Sequence, residues 1–515
     1  MVLMAEALKT TPGLEYTGRI AGGLRQDLAR RLPHFASDWR DGLHPKVLGS
    51  AFFLFFACLA NAIAFGALNG AMTGGQIGIV EMLLITGIGG IVYAAFSGQP
   101  LTLLGGTGPI VIFTALLYRA CQEWQLPFLP VYAWVGLWSG FLIILCAVLD
   151  LSFLMRYFTR FTDEIFSALI AVIFIYEAAD HLLMPFFHGG TNLEILFLAL
   201  IVGLGTYQVA RNLKAFGRTP YLRRKMREFL MDFGPAIAIT LMTIATLFFP
   251  HIQLEVPMVP SRLAPTSGRP WLIPLFSLPL KFILLCALPA LLATILLFLD
   301  QNITTRLVNA RQNRLLKGSG YHLDLLVVGL LIVLGSPFGL PWIVAATVHS
   351  LNHVRSLAET RVDPQTGREL IVSVRENRLS ACLVHLGIFA SMGLLGLIAR
   401  IPMPVLYGLF LYMGLATLKG NQFFERLKLW AMDPALYPKT YYLRMVPAAV
   451  IHLFTAIQLV FLVALWLLKA SRIGLLFPVL IAALVPLRLW MPKRFSPQHL
   501  EALDAEEEES EDELD

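Results

Sequence analysis

Long apolar stretches separated by short polar ones set the first expectation for this chain. A helix needs about 20 apolar residues to cross the hydrocarbon core of a bilayer. Stretches of that kind lie at 47–68, 76–95, 129–150, 165–185, 192–210, 229–250, 273–299, 379–398, 402–418, 445–468 and 473–492. Three more segments, 101–122, 323–338 and 341–353, are apolar but shortened or interrupted by Gly and Pro. Counting all of them predicts an all-α membrane protein with fourteen membrane-embedded segments, and an even count puts both chain ends on one side.

Two of the interrupted segments share a grammar. In Phe96 to Phe113 an extended run reaches Gly105-Gly106-Thr107-Gly108, after which Pro109 opens a short apolar helix. At 1.5 Å per residue such a helix spans only about 21 Å, less than the core thickness. Proline suits a first helical position because its missing N–H has no partner there, and Thr107 or Gly108 can cap. In Gly335 to His353, Pro341 follows Gly339 and is expected to open a second short helix in the same way. The start of a helix carries unpaired N–H groups and a partial positive charge, which suits an anion. Paired broken segments in two halves of a membrane chain point to a transporter with a site at the middle of the bilayer. Backbone of that kind at that depth must be buried in protein or line a cavity. The plainer alternative is that Gly and Pro kink two ordinary helices.

Composition agrees with a lipid-solvated chain: 57% of the residues are apolar and 14% charged, against about 25% charged in soluble domains. The net charge of +6 conceals a division, because the last fifteen residues hold ten acids and no Lys or Arg. Segments 211–228, 300–322, 352–378 and 419–444 hold twenty-one Lys and Arg, whereas 251–272, 399–401 and 469–472 hold five. By the positive-inside rule both termini are then cytoplasmic. Glu501 to Asp515 is too acidic to bury a core and is expected to be disordered. The first 46 residues are mixed and polar, unlike a cleaved signal peptide. Cys58, Cys121, Cys146, Cys286 and Cys382 sit in apolar stretches without metal-ligand spacing. No soluble basic face for nucleic acid is evident. Nor is there a nucleophile arrangement, a phosphate-binding loop or a metal-binding histidine pair, so no enzyme is expected.

Ionisable groups inside spans mark functional sites by default. Asp300 ends a span, and Thr304 lies one helical turn on, so their oxygens share a face. That pair can hold Na⁺ or carry a proton; alternatively Asp300 reaches water at a span end or pairs with Arg306. Thr347 and His349 lie in the second short segment, where the histidine can balance an anion, titrate, or bond to neighbouring backbone. Glu177, Asp180 and His181 read as interfacial. The sequence does not place Glu81 or Lys281, and His385 and His452 read as packing residues.

The residues also carry a family resemblance. RDGLHPKVLGSAFFLFFA (Arg40 to Ala57), SGQPLTLLGGTGP, FSALIAVIFIYEA, FLDQNITTRLVN, KGSGYHLDLL, LPWIVAATVHSLNH, IPMPVLYGLFLYMG and HLFTAIQLVFLVALW together resemble the bicarbonate transporter family. This is solute carrier family four, which includes band 3 anion exchangers and sodium-coupled bicarbonate transporters. The likeness runs from about residue 36 to 490. The large soluble N-terminal domain of the animal members has no counterpart, so a bare transport unit is expected.

The resemblance implies a seven-plus-seven inverted repeat with two half-helices meeting at the midplane. It implies a core domain of residues 47–150 and 273–398 and a gate domain of 151–250 and 402–492. These are flanked by a cytoplasmic segment 1–46 and an acidic disordered tail 493–515. It implies secondary active transport of bicarbonate or carbonate across the plasma membrane, without a cofactor, by a homodimer joined through the gate. The anion is expected around Thr107, Gly108, Pro109, Ile110, Val344, Ala345, Ala346, Thr347 and His349. Asp300, Thr304 and Thr347 resemble the sodium-coupled ligand set, which favours Na⁺ coupling over chloride exchange or proton coupling. His349 matches neither the arginine of the exchangers nor the aliphatic residue of the sodium-coupled members. Leu59 to Gly66 replaces the family's Ser-Pro and Thr by Ala60-Asn61 and Ala64, where Asn61 can compensate for a lost hydroxyl. Leu503-Asp504-Ala505-Glu506-Glu507 resembles an acidic motif proposed to recruit carbonic anhydrase; a solvated tail is the preferred reading.

Overall fold

A computed structural model describes residues 13–188, 192–217, 219–260, 262–362, 369–438 and 440–505. The described residues are mostly helical, at 73%. Ten helices among the described residues are long and apolar enough to cross a membrane, or twelve if each of two bent pairs is one span. The bent pairs are Met226–Asp232 with Gly234–Thr246, at 70°, and Met403–Lys419 with Gln422–Ala431, at 74°.

The described residues fall into two compact units. The larger lies within Pro12–Phe153 and Glu177–Tyr412. Its centre is built from α1 (Pro45–Met72), α2 (Ile79–Phe96), β1 (Leu104–Gly105), α3 (Gly108–Glu123), α4 (Phe128–Val148), α5 (Ala287–Val308), α6 (Tyr321–Gly335), β2 (Val344–Ala345), α7 (Thr347–Leu357) and α8 (Leu379–Ala390). Helix α4 packs on α5 and α6, and α8 packs on α1 and α2. Lipid is as apolar as a leucine side chain, so such packing relies on close approach and on polar partners. One approach is tight enough to require glycine on both sides. A Cβ on Gly98 would lie 2.6 Å from the Gly320 Cα, and one on Gly320 would lie 2.5 Å from the Gly98 Cα.

The smaller unit lies within Leu154–Tyr176 and Met413–Asp515. At its heart Glu164 pairs with Arg426, whose guanidinium also donates to Gln458 at 2.9 Å. All three side chains are buried. A buried charge must be paired to be tolerated, and here each partner is also hydrogen-bonded.

Four expectations change. The tail does not start as coil: Pro497–Asp504 is a helix with Leu500, Ala502 and Leu503 buried. Asp504 anchors it, accepting from Arg488 at 2.5 Å and from the Phe161 N–H at 3.1 Å. Its sequence looked too acidic to fold because that anchor lies in distant chain; residues 506–515, like 1–12, lie outside the described residues. The second short helix does not open at Pro341 but at Thr347, because Val344 and Ala345 are taken into a strand pair first. The span expected to end at residue 299 continues to Val308. Strand also appears in the basic loop 352–378 of a chain expected to be all-α, in the antiparallel pair Ala358–Val362 and Glu369–Val374.

Candidate functional site

The two interrupted segments cross each other. Leu104 pairs with Ala345 and Gly105 with Val344 in an antiparallel ladder of two residues a side, extended by the Ala346 N–H bonding to the Leu103 carbonyl at 2.8 Å. Because the strands are antiparallel, the helices that continue them leave in opposite directions with their starts near the crossing. Helix α3 begins at Gly108 with Pro109 in its first turn, and α7 begins at Thr347. Neither start has a side-chain cap, so the first-turn N–H groups of both lack intrahelical partners. Each helix end is equivalent to about half a positive charge.

Four side chains tie this crossing to its surroundings. The N–H groups of Gly98 and Gln99 both donate to Asp324 Oδ1, at 2.8 and 3.0 Å. The Leu103 N–H donates to Ser350 Oγ at 3.0 Å. His353 sits with Nδ1 2.8 Å from the Leu101 carbonyl and Nε2 2.6 Å from Ser380 Oγ. Asn61 Nδ2 donates to the Gly106 carbonyl at 3.4 Å. Buried extended backbone without a sheet around it needs such partners, since an unpaired buried polar group is costly. Tyr132 of α4 stacks on Trp342 of the second segment at 4.4 Å between ring centres.

Both helix starts are tethered to one turn of α5. The Thr107 hydroxyl donates to Asp300 Oδ2 at 2.6 Å, and the Thr304 and Thr347 hydroxyls lie 2.6 Å apart. The Thr304 hydroxyl also reaches the Ala345 carbonyl at 3.2 Å. Asp300 is only 6% exposed, so it is not a span-end residue reaching into solvent. A carboxylate, three hydroxyls and a carbonyl thus converge where two electropositive helix ends begin. Hard monovalent cations take oxygen ligands of this type, and the free N–H groups suit an anion. Pro109 and Ile110, in the first turn of α3, are buried, whereas Thr107, Thr347 and His349 are half-buried and Val348 is 64% exposed.

Other polar residues are placed away from the crossing. Glu81 accepts from the Gly78 N–H at 2.9 Å, the Thr266 N–H at 2.8 Å and the Thr266 hydroxyl at 2.6 Å. It caps α2 and fastens the 251–272 loop. Lys281 is exposed beside the Phe282 ring. His181 stacks on Tyr407 and its Nδ1 lies 2.9 Å from the Glu177 carbonyl. His385 is buried on α8. The sequence reading missed Asp324, Ser350, His353 and Gln301; the available signal was their position as polar residues within apolar spans.

The family model for the HCO3- transporter integral membrane domain matches residues 19–191 and 188–508. The chain belongs to the HCO3- transporter family. It is therefore a membrane protein. It is 37% identical over 569 residues to the electroneutral sodium bicarbonate exchanger 1 of Rattus norvegicus, covering 96% of this chain and 52% of that protein. It is 37% identical over 568 residues to the human sodium bicarbonate cotransporter 3, covering 96% and 46%. It is 36% identical over 567 residues to the human sodium-driven chloride bicarbonate exchanger, covering 96% and 50%. The chain thus spans about half the length of these curated relatives. They are named as transporters and exchangers, not as enzymes.

Two solved structures share the fold. The transmembrane domain of BicA, a cyanobacterium bicarbonate transporter, superposes with a TM-score of 0.58 at 17% identity, covering 85% of this chain and 97% of that one. SLC26A9 gives a TM-score of 0.57 at 14% identity, covering 86% and 65%.

Proposed function

We propose that the protein is a secondary active transporter that couples movement of bicarbonate or carbonate to Na⁺. The observation that carries this reading is the tethering of two helix starts to one turn of α5, through Thr107–Asp300 and Thr347–Thr304. An anion held between two helix ends has about one positive charge in total to balance it. Na⁺ on Asp300, Thr304 and Thr347 supplies another, while the anion takes amides near Thr107 to Ile110 and near Thr347 to His349. The buried carboxylate and the uncapped helix starts then answer each other's need for charge, and neither ion is well held alone. The names of the relatives, which couple sodium with bicarbonate, support the same pairing.

In this reading the two short helices join the twelve longer spans in a fourteen-segment, seven-plus-seven inverted repeat. Residues 47–150 and 273–398 form a core that moves against a gate of 151–250 and 402–492 to alternate access. The protein works in the plasma membrane as a homodimer joined through the gate, with both termini cytoplasmic and the basic loops on the same side.

The test is uptake of isotope-labelled bicarbonate by proteoliposomes with Na⁺, chloride and pH varied one at a time. Uptake that requires Na⁺ and survives removal of chloride is the expected result. A requirement for chloride on the opposite side without a need for Na⁺ overturns it in favour of anion exchange, a reading that one relative's name keeps open. Uptake that follows proton rather than Na⁺ gradients, and is lost in His349→Leu, points to a proton-coupled carrier.

A further inference from the structure

Gln301 follows Asp300 on α5 and has no accessible surface. Its side-chain oxygen accepts the Ala345 N–H at 2.9 Å, and its side-chain nitrogen donates to the Tyr93 hydroxyl at 3.0 Å and to Thr305 Oγ1 at 3.3 Å. The orientation of the amide is not arbitrary. A backbone N–H can only donate, so the atom facing Ala345 must be the oxygen. Thr304 meanwhile donates to the carbonyl of the same residue. Both backbone polar groups of Ala345 are therefore held by α5, two residues before α7 begins.

This grip has two effects. It sets the distance between the Asp300 carboxylate and the start of α7, the two halves of the ion site. It also takes the Ala345 N–H away from the anion, as the Leu103 carbonyl does for Ala346, and leaves the amides of the first helical turn to bind it. The connection continues on the far side of Gln301. The Tyr93 hydroxyl lies beside Thr102 and the Asp324 carboxylate, and Asp324 holds the N–H groups of Gly98 and Gln99. Gln301, Tyr93 and Asp324 thus link the two crossing segments a second time, away from the ladder itself.

We propose that Gln301 is a positioning residue that couples the cation and anion halves of the site through Ala345, with Tyr93 holding the amide in place. This deepens the transport reading and rests on it. The test compares wild type, Q301M and Y93F, purified and monodisperse, in two measurements. In the first, amide hydrogen exchange over peptides containing Ala345 reports the grip directly, whatever the protein transports. Q301M is expected to exchange about tenfold faster there, and Y93F less so.

In the second, the half-saturating concentrations of Na⁺ and bicarbonate are measured separately from the maximal rate. Both are expected to rise together by about tenfold in Q301M and by about threefold in Y93F, with the double variant no worse than Q301M. Maximal rates stay within about twofold. A merely structural role would lower the yield of folded protein and the maximal rate without moving half-saturation. Unchanged exchange at Ala345 overturns the proposal, as do wild-type half-saturations in a folded Q301M. Absence of Na⁺-dependent uptake in wild type with faster exchange in Q301M overturns the transport reading and leaves the grip on Ala345 standing.

Discussion

The Thr107 hydroxyl lies 2.6 Å from the Asp300 carboxylate although 193 residues separate them in the chain. A threonine at that place would ordinarily cap its own helix. Here the side chain is spent on another helix instead, which leaves the start of α3 uncapped and fastens it to α5. The loss of a cap and the gain of a tether are one event, and together they make the start of a helix available to a ligand.

Asp300→Asn separates charge from shape. The amide oxygen can still accept from Thr107, so folding is expected to survive, with the melting temperature in detergent within a few degrees of wild type. Na⁺-dependent bicarbonate uptake is expected to fall at least about a hundredfold, the loss of about 2.7 kcal/mol of transition-state stabilisation. Flux assays at matched protein density check this, and retained uptake at wild-type Na⁺ dependence would refute it.

Thr304 and Thr347 share a single hydroxyl contact, so their effects are expected not to add. Thr304→Val and Thr347→Val should each raise half-saturating Na⁺ by about three- to tenfold, and the double variant should match the worse single one. A double variant whose effect is the product of the two would show that the hydroxyls act separately.

Asp38 joins three cations. It accepts from Arg31 at 3.0 Å, from Arg378 at 3.1 Å and from Lys317 at 2.8 Å, and it is wholly buried. Asp38→Ala leaves the two almost fully buried guanidiniums without this carboxylate, a change that costs about 3–5 kcal/mol. Loss of monodisperse protein, or a fall of many degrees in melting temperature, is the expected result. Size-exclusion chromatography after mild heating would reveal it.

The crossing at Gly98 and Gly320 is predicted to reject a single methyl group. Gly98→Ala places a Cβ 2.6 Å from backbone, and the segment must move off Asp324. Stability is expected to fall by about 1–3 kcal/mol, in line with overpacking, and uptake should fall with it. Thermal unfolding of the purified variant is the direct measurement.

Much of this was legible in the sequence, and the failures share a cause. Pro109 and the glycines before it announced the break ahead of α3, because a proline in the first turn and an apolar helix too short to cross a bilayer are local facts. Hydropathy stopped the α5 span at residue 299 because Asp300, Gln301, Asn302, Thr304 and Thr305 look like the edge of water. Each in fact has a partner inside the protein, among them Thr107, Tyr93 and Ala345. Pro341 misled in the opposite sense. It lies ahead of β2, whose pairing with residues more than two hundred positions earlier leaves no local trace. Long-range partners turned polar residues into interior ones and a helix start into a strand, and one-dimensional patterns do not contain them.

The ladder between β1 and β2 is only two residues long on each strand, and that brevity makes the crossing a matter of chain length as much as of chemistry. One residue added between Gly105 and Thr107 would lengthen that extended run by about 3.3 Å and reverse the face that the next side chain takes. Thr107 would then miss Asp300 with every side chain unaltered. Point substitutions can be absorbed by neighbours that adjust, but an insertion or deletion here has nowhere to be taken up, since the helix begins within three residues of the last pair. In descendants of this chain the count of residues between ladder and helix should be the feature that changes least.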